Sequence, residues 1–318
     1  MMLVYSICYR FYFWIKRFRR WNWPKCVGRL IQKAYEWYNY YFGLLLNRKY
    51  APWFRNHPVK CGLNKRKRKE SYTISLTSFP TRIEYTYIAI ETLLRQSFKP
   101  DRIVLWLAES QFPGKKLPES LTRLEGCGLT IRFCDDLLSH KKYYYAFREY
   151  PDDNIILADD DLFYARDTLK KLVKCHNKHP KDICAVSVQI MGSEVGTVPS
   201  VWSTTRNGER YISRNDVQAF TGAGSLFPAK WYTEEVFDKE KSMTLAATAD
   251  DLWLKAMSLL AGVRTTAIFP VRGFPIEVWI DNNQTLFSKN GATGGNLNDE
   301  TWRRLVNEYA LNNRKWEG

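Results

Sequence analysis

Two short acidic runs carry the residues best suited to chemistry in this chain. The first is Asp159-Asp160-Asp161, which ends the apolar run Ile155-Ile156-Leu157-Ala158. The second is Asp250-Asp251, which opens Leu252-Trp253-Leu254-Lys255-Ala256-Met257. Three adjacent carboxylates repel one another, so water must screen them, or some hold protons, or a cation sits among them. Mg²⁺ or Mn²⁺ prefers carboxylate oxygens and fills its remaining positions with water and phosphate. If the apolar run is a strand whose alternation continues into the acids, Asp159 and Asp161 share one face and Asp160 takes the other. Acid runs also cap helices, and Asp167-Thr168 reads as a helix start. At the second run, one acid suits a helix N-terminus. The other can serve as a general base that removes a hydroxyl proton.

The elements that must position these acids read as α/β. Residues 71–78 form a first strand, followed by a turn at Phe79-Pro80 and a helix through Ile88, Ile90, Leu93 and Leu94, with Thr81 or Thr86 as its cap. Residues 102–107 form a second strand, 113–118 a loop, 117–124 a short helix and 129–133 a third strand ending at Asp135-Asp136. Residues 140–150 are helical, and 155–157 form a fourth strand after the turn residues 151–154. Strands alternating with helices at this spacing give a parallel sheet flanked by helices. Right-handed crossovers bring the strand ends to one edge, the edge where such sheets bind ligands. Ser78, Glu109, Asp135 and Asp161 then line that edge together. Neither a Gly-x-Gly-x-x-Gly fingerprint nor a Walker loop is present.

Later segments add candidates. Phe220 to Pro228 is a loop in which Gly222 and Gly224 let a ligand approach the backbone. Trp202, Trp231 and Trp253 are either core residues or flat faces for stacking a ligand ring. The polar, Gly-rich stretch 277–295 reads as a lid. Residues 298–311 close the chain as an amphipathic helix. All four His precede residue 180, so the later half of the chain offers no imidazole, and a metal site would rest on the triplet, phosphate, water and Asp281.

Charge divides the chain. Residues 1–70 hold 17 Lys+Arg and 2 Glu, a net of 17 − 2 = +15. Residues 71–318 hold 48 − 17 = 31 basic and 33 − 2 = 31 acidic residues, a net of zero. The balanced body gives no reason to expect nucleic acid as a partner. Residues 1–45 interleave aromatics with cations, as in Tyr9-Arg10-Phe11-Tyr12-Phe13-Trp14-Ile15-Lys16-Arg17. No run approaches the roughly 20 apolar residues of a spanning helix, and the charges follow the apolar start, unlike a signal peptide. Aromatic rings at the headgroup boundary and cations on anionic lipid suit a segment lying on a membrane surface. Docking on the chain's own body is the other reading. Residues 65–69, Lys-Arg-Lys-Arg-Lys, read as a solvated basic linker. The seven Cys lack a Cys-x-x-Cys pair, which suits reduced thiols in a cytoplasmic setting. The expected organisation is a basic-aromatic extension over 1–70 and a domain over 71–318, on the inner face of the cell membrane.

Three stretches together carry a resemblance: Ser75-Leu76-Thr77-Ser78-Phe79-Pro80-Thr81-Arg82-Ile83, Leu93-Leu94-Arg95-Gln96-Ser97-Phe98-Lys99-Pro100-Asp101, and the Asp triplet, with Ala249-Asp250-Asp251-Leu252-Trp253-Leu254 later. Over roughly residues 71–290 the chain resembles GT-A-fold glycosyltransferases of the family-2-like kind, of the sort that build bacterial surface polysaccharides. The resemblance implies a Rossmann-like GT-A fold, a nucleotide-diphospho-sugar donor (a UDP-sugar by default), a Mn²⁺ or Mg²⁺ ion, and a glycan or lipid-linked acceptor. It makes Asp161 the main metal ligand, with Asp159 assisting through ribose or metal-bound water and Asp160 contributing either way. Thr77, Ser78 and Arg82 fall near the nucleotide, Lys141 or Lys142 near the diphosphate, and Gly222 and Gly224 near donor sugar and acceptor. Asp251 becomes the base of an inverting transfer, with Asp250 as its support. A metal-dependent phosphoryl-transfer hydrolase and a non-catalytic membrane-binding protein of the same fold are the alternatives.

Overall fold

The computed structural model describes residues 24–45, 48–49, 51–191, 197–204, 210–268, 275–278 and 297–311. The strands are β1 (Tyr72–Thr77), β2 (Arg102–Ala108), β3 (Leu129–Cys134), β4 (Asn154–Leu157), β5 (Leu162–Phe163), β6 (Ile183–Ala185), β7 (Val188–Ile190), β8 (Ser203–Thr204), β9 (Val217–Ala219), β10 (Ser225–Phe227), β11 (Thr265–Ala267) and β12 (Ile276–Glu277). The α-helices are α1 (Lys25–Leu45), α2 (Ala51–Asn56), α3 (Ile83–Leu94), α4 (Glu119–Thr122), α5 (Lys141–Glu149), α6 (Thr168–His176), α7 (Lys239–Ala246), α8 (Asp250–Leu260) and α9 (Leu297–Glu308).

Seven strands form one sheet in the order β11-β6-β10-β4-β1-β2-β3. The pairs β1–β2, β2–β3, β1–β4 and β6–β11 are parallel, and β10 runs antiparallel between β4 and β6. The sheet is therefore mixed and mainly parallel, with helices on both faces. β4 shows why residues 155–157 are uniformly apolar. Ile156 packs with one cluster beneath α3 and α6, while Ile155 and Leu157 join the other beneath α5 and α8. A strand covered on both faces has no polar side to present.

Several local expectations change. Neither threonine caps α3: Arg82 is the N-cap residue without a side-chain cap bond, and the Thr86 hydroxyl donates back to the Arg82 carbonyl at 3.1 Å. Trp202, Trp231 and Trp253 are core residues at 6%, 6% and 0% exposure, so none offers an open stacking face. The residues behind the resemblance at 96–101 are structural. Gln96 donates to the Ala165 carbonyl at 2.8 Å and accepts from the Leu169 N–H at 3.1 Å, tying α3 to α6. Asp101 accepts from the Tyr72 N–H at 2.7 Å.

Residues 51–70 pack on the body. Phe54 enters the core at 4% exposure, the Gly62 N–H donates to the Cys127 carbonyl at 2.8 Å, and the Asn64 N–H donates to Pro100 at 2.7 Å. In the basic run, Lys65, Arg66, Lys67 and Lys69 are exposed as a linker would be. Arg68 is not. It donates to Asp101 at 2.9 Å, and its guanidinium lies 4.8 Å from the Tyr72 ring and 4.7 Å from that of Phe98. A planar cation that can pair and stack at once is held where a lysine would stay solvated. The described cysteines are all free thiols. No described helix is long and apolar enough to cross a membrane. The arm before residue 24 and most of the expected lid, with Asp281, lie outside the described residues.

If residues 51–70 are part of the folded body, Phe54→Ala costs about 3–5 kcal/mol of unfolding free energy in a urea titration. A loss below about 0.5 kcal/mol, the range of ordinary surface changes, would make the segment a detachable linker instead.

Candidate active site

The acidic triplet begins where β4 leaves the sheet. The Ala158 N–H still donates to the Ser75 carbonyl at 3.0 Å, but the Asp159 N–H turns to the Gly222 carbonyl at 3.2 Å and the Tyr164 hydroxyl at 2.7 Å. Strand alternation therefore lapses before the acids. The partnerships divide differently from the expected faces: Arg82 joins Asp160 and Asp161, and Lys142 takes Asp159. Arg82 Nη1 lies 3.1 Å from Asp160 and 2.8 Å from Asp161, with its guanidinium 5.2 Å from the Phe79 ring. Asp160, at 4% exposure, also accepts from the Ser78 hydroxyl. The Asp159 and Asp161 side chains remain 33% and 20% exposed, so solvent reaches these two more than Asp160.

Lys142 connects the triplet to the second motif. Its Nζ lies 2.7 Å from Asp159 and 3.1 Å from Asp250. The sheet fixes this lysine from below, because the Ser75 hydroxyl donates to the Lys142 carbonyl and the Trp106 indole N–H donates to Ser75 at 2.9 Å. Lys141 points elsewhere and pairs with Asp136. Asp250 and Asp251 occupy the first turn of α8, whose N-cap residue is Ala249, and neither acid caps the helix. Thr221 holds both instead. Its hydroxyl reaches Asp250 at 3.1 Å and also Asp251, and its N–H donates to Asp251 at 3.0 Å. Next to it, Gly222 lies under Asp159 so closely that a Cβ would sit 1.6 Å from Oδ2. Gly224, at φ +103°, needs its glycine for backbone conformation.

The charge balance is uneven. Asp159, Asp160, Asp161, Asp250 and Asp251 face Arg82 and Lys142, so full ionisation leaves −5 + 2 = −3. Burial alone would lower Lys142, but Asp159, Asp250 and Asp251 outweigh it and hold the amine well above its usual range. Burial would raise Asp250, yet Lys142 and its other partners keep it below the usual carboxylate range. The deficit falls on three acids. Burial raises Asp160 against Arg82 and the Ser78 hydroxyl. Burial pushes Asp161 up to about 7 against Arg82, with Asp160, Asp159 and Glu277 adding to the rise. Burial and neighbouring Asp250 push Asp251 up to about 7 against Lys142 and Thr221. His140 behind the site is buried and neutral: Nε2–H donates to the Ala246 carbonyl at 2.9 Å and Nδ1 accepts from Tyr143 at 2.9 Å.

Ser78, Arg82, Lys142, Asp159, Asp160, Asp161, Gly222, Asp250 and Asp251 thus form one connected group. Glu109 and Asp135 stand apart. Glu109 pairs with Lys115 on the surface, and Asp135, beyond the edge strand β3, pairs with Lys239. Both follow strands that end on the expected edge, but β2 and β3 carry them away from β4. Thr77 turns its hydroxyl to the Trp106 carbonyl at 2.8 Å. Thr221 and Tyr164 are the functional neighbours the sequence reading missed. Thr221 was legible only as the residue flanking Gly222, and nothing local marks Tyr164.

No group of three or more His, Cys, Asp or Glu side chains converges as a metal cage among the described residues. The donor set nevertheless suits a hard cation that takes two carboxylates, Asp159 and Asp161, and completes its shell with water and phosphate oxygens. Three raised carboxyls in an excess of negative charge are what such an ion would relieve.

Comparison with known proteins gives a fold-level likeness only. No protein-family model matches the chain, and no curated protein matches it. Among solved structures, Staphylococcus aureus TarS 1-349 in complex with UDP-GlcNAc is similar at TM-score 0.48 and 12% identity, over 78% of this chain and 68% of that one. The match to another structure of TarS 1-349 spans only 58% of that chain. The mannosyltransferase PcManGT from Pyrobaculum calidifontis, in complex with GDP-Man and Mn²⁺, is similar at TM-score 0.40 and 14% identity, over 74% of this chain and 67% of that one. 4-Diphosphocytidyl-2C-methyl-D-erythritol synthase gives 0.42 and 14%, over 67% and 95%. At these scores none of them carries the functional reading.

The raised acids set a pH signature. An acid that titrates near 7 when folded and near 4 when unfolded binds more protons in the native state between those values, so stability falls as pH rises from about 4 to 7. Asp161→Asn should remove part of this fall. Its melting temperature should exceed that of the unsubstituted chain at pH 8 and lose that advantage at pH 4. An equal shift at both pH values would contradict the assignment. Gly222→Ala should destabilise by about 1–3 kcal/mol in a urea titration, since Asp159 must move.

Proposed function

We propose that the chain is a metal-dependent, inverting glycosyltransferase that uses a nucleotide-diphospho-sugar, by default a UDP-sugar, and a glycan or lipid-linked hydroxyl in surface-polysaccharide synthesis. The observation that carries this reading is the connected group joining a strand-end acidic triplet to Asp251, a carboxyl poised near neutrality. Transfer requires that charge be neutralised at a leaving diphosphate and that a proton be removed from the attacking hydroxyl. The two ends of this group suit those two tasks.

Asp161 and Asp159 are the proposed ligands of Mn²⁺ or Mg²⁺, which when bound with donor would offset the negative charge of the diphosphate. Arg82 holds Asp160 and Asp161 together and brings a fixed positive charge to the same rim. Ser78 fixes Asp160. Lys142 keeps Asp250 ionised and holds Asp159 in place, and Thr221 orients the Asp251 carboxylate. Asp251 accepts the acceptor hydroxyl proton as the new bond to the anomeric carbon forms and the bond to the diphosphate oxygen breaks. Asp250 supports that base through Thr221. The enzyme works at the cytoplasmic face of the membrane through its basic-aromatic N-terminal portion.

Turnover measured on a panel of sugar nucleotides with Mn²⁺ tests this reading. Asp251→Asn should lower kcat by about 10²–10⁴, the usual contribution of a general base, while donor binding is retained. The wild-type rate should rise with pH through about 7 as Asp251 loses its proton. An Asp251→Asn variant with undiminished turnover would remove it as the base, and phosphate release from simple esters would favour a hydrolase.

A further inference from the structure

Helix α1 carries one broad apolar arc with two flanks. One meets the body, where Tyr38 packs on the core and the helix contacts β12. The other is exposed: Leu30 is 69%, Trp37 67%, Tyr41 55% and Leu45 40% accessible. Spacings of seven, four and four residues place these four on one side of the helix. The Trp37 and Tyr41 rings lie 5.4 Å apart, forming a continuous aromatic surface. Arg29 and Lys33, also exposed and four residues apart, run beside this face, and Arg48 and Lys49 are exposed just beyond the helix.

Three occupants compete for such a face. A second copy would bring the same N-terminal +15 excess against its own kind. A nucleic acid would answer the cations but leave Leu30, Trp37 and Leu45 in water. An anionic lipid surface answers both, because apolar and aromatic groups enter the headgroup boundary while cations meet the negative headgroups. The position of the helix adds a consequence. β12, which α1 touches, pairs with β5 immediately after the triplet, and the Val278 N–H donates to the Asp161 carbonyl at 2.6 Å.

We infer that the Leu30–Trp37–Tyr41–Leu45 face of α1 docks on an anionic lipid surface and so holds the acidic site beside acceptors carried on that surface. The acceptor half rests on the transferase reading above, and the docking half narrows the membrane placement proposed there to one face of α1. Flotation of the full chain with phosphatidylcholine vesicles, with and without phosphatidylglycerol, tests it in the absence of any nucleotide-sugar. The chain should float with the anionic vesicles and bind the neutral ones at least about tenfold less. Leu30→Ser/Trp37→Ser and Arg29→Glu/Lys33→Glu should each weaken anionic binding by about tenfold or more, with melting temperature unchanged. Undiminished binding by either variant overturns the inference, as does equal affinity for neutral vesicles. A solution dimer that the Leu30→Ser/Trp37→Ser variant dissolves, without flotation, assigns the face to self-association and also overturns it. Vesicle binding intact in a chain that binds no sugar nucleotide upholds docking while refuting the transferase reading.

Discussion

One buried amine organises this structure. Lys142 is withdrawn from water and placed between Asp159, which follows β4, and Asp250, which begins α8. A lone ammonium in that position would shed its proton, and a lone carboxylate there would take one up. Each is tolerable only because the others are present. Removing one partner from such a buried pair leaves an uncompensated charge, at a typical cost of about 3–5 kcal/mol. The fold must therefore deliver three separate segments to one point: the end of β4, the first turn of α5 and the first turn of α8. Ser75 and Trp106 show how far that requirement reaches into the sheet, because their hydrogen bonds fix the backbone of Lys142.

The same electrostatics leave the site incomplete. Two cations do not balance five carboxylates, and Asp160, Asp161 and Asp251 carry the difference as raised acids. Such an arrangement is costly in an isolated chain and sensible in one that receives positive charge with its ligand. Asp160 is closed off by Ser78 and Arg82, while Asp159 and Asp161 stay partly open beside it. The triplet thus divides into one acid that holds the scaffold and two that remain accessible.

Much of this was legible in the sequence. Apolar runs bounded by turn residues marked the parallel strands, and the acid runs marked the strand end and the helix start that meet in the site. Other features depend on the chain being folded. β4 ends at Leu157, a boundary that no residue type announces, and the pairing of Arg82 with Asp160 and Asp161 and of Lys142 with Asp159 follows from the fold alone. Arg68 read as linker because a basic run looks solvated until Tyr72, Phe98 and Asp101 are brought around it. Glu109 and Asp135 follow strands on the correct edge, but sheet order decides distance, and β2 and β3 lie on the side of β1 away from β10. Thr221 and Tyr164 gain their roles from contacts across the loop that holds Gly222, which no local pattern encodes.

The central claim is that the acid cluster exists to receive a cation together with a sugar nucleotide. Titration calorimetry with a panel of UDP- and GDP-sugars, with Mn²⁺ and then with excess chelator, tests it most directly. The account predicts that one donor binds with Mn²⁺, that chelator abolishes the binding, and that Asp161→Asn abolishes it too. Donor affinity indifferent to chelator and to Asp161→Asn, or no donor bound under any condition, would contradict it.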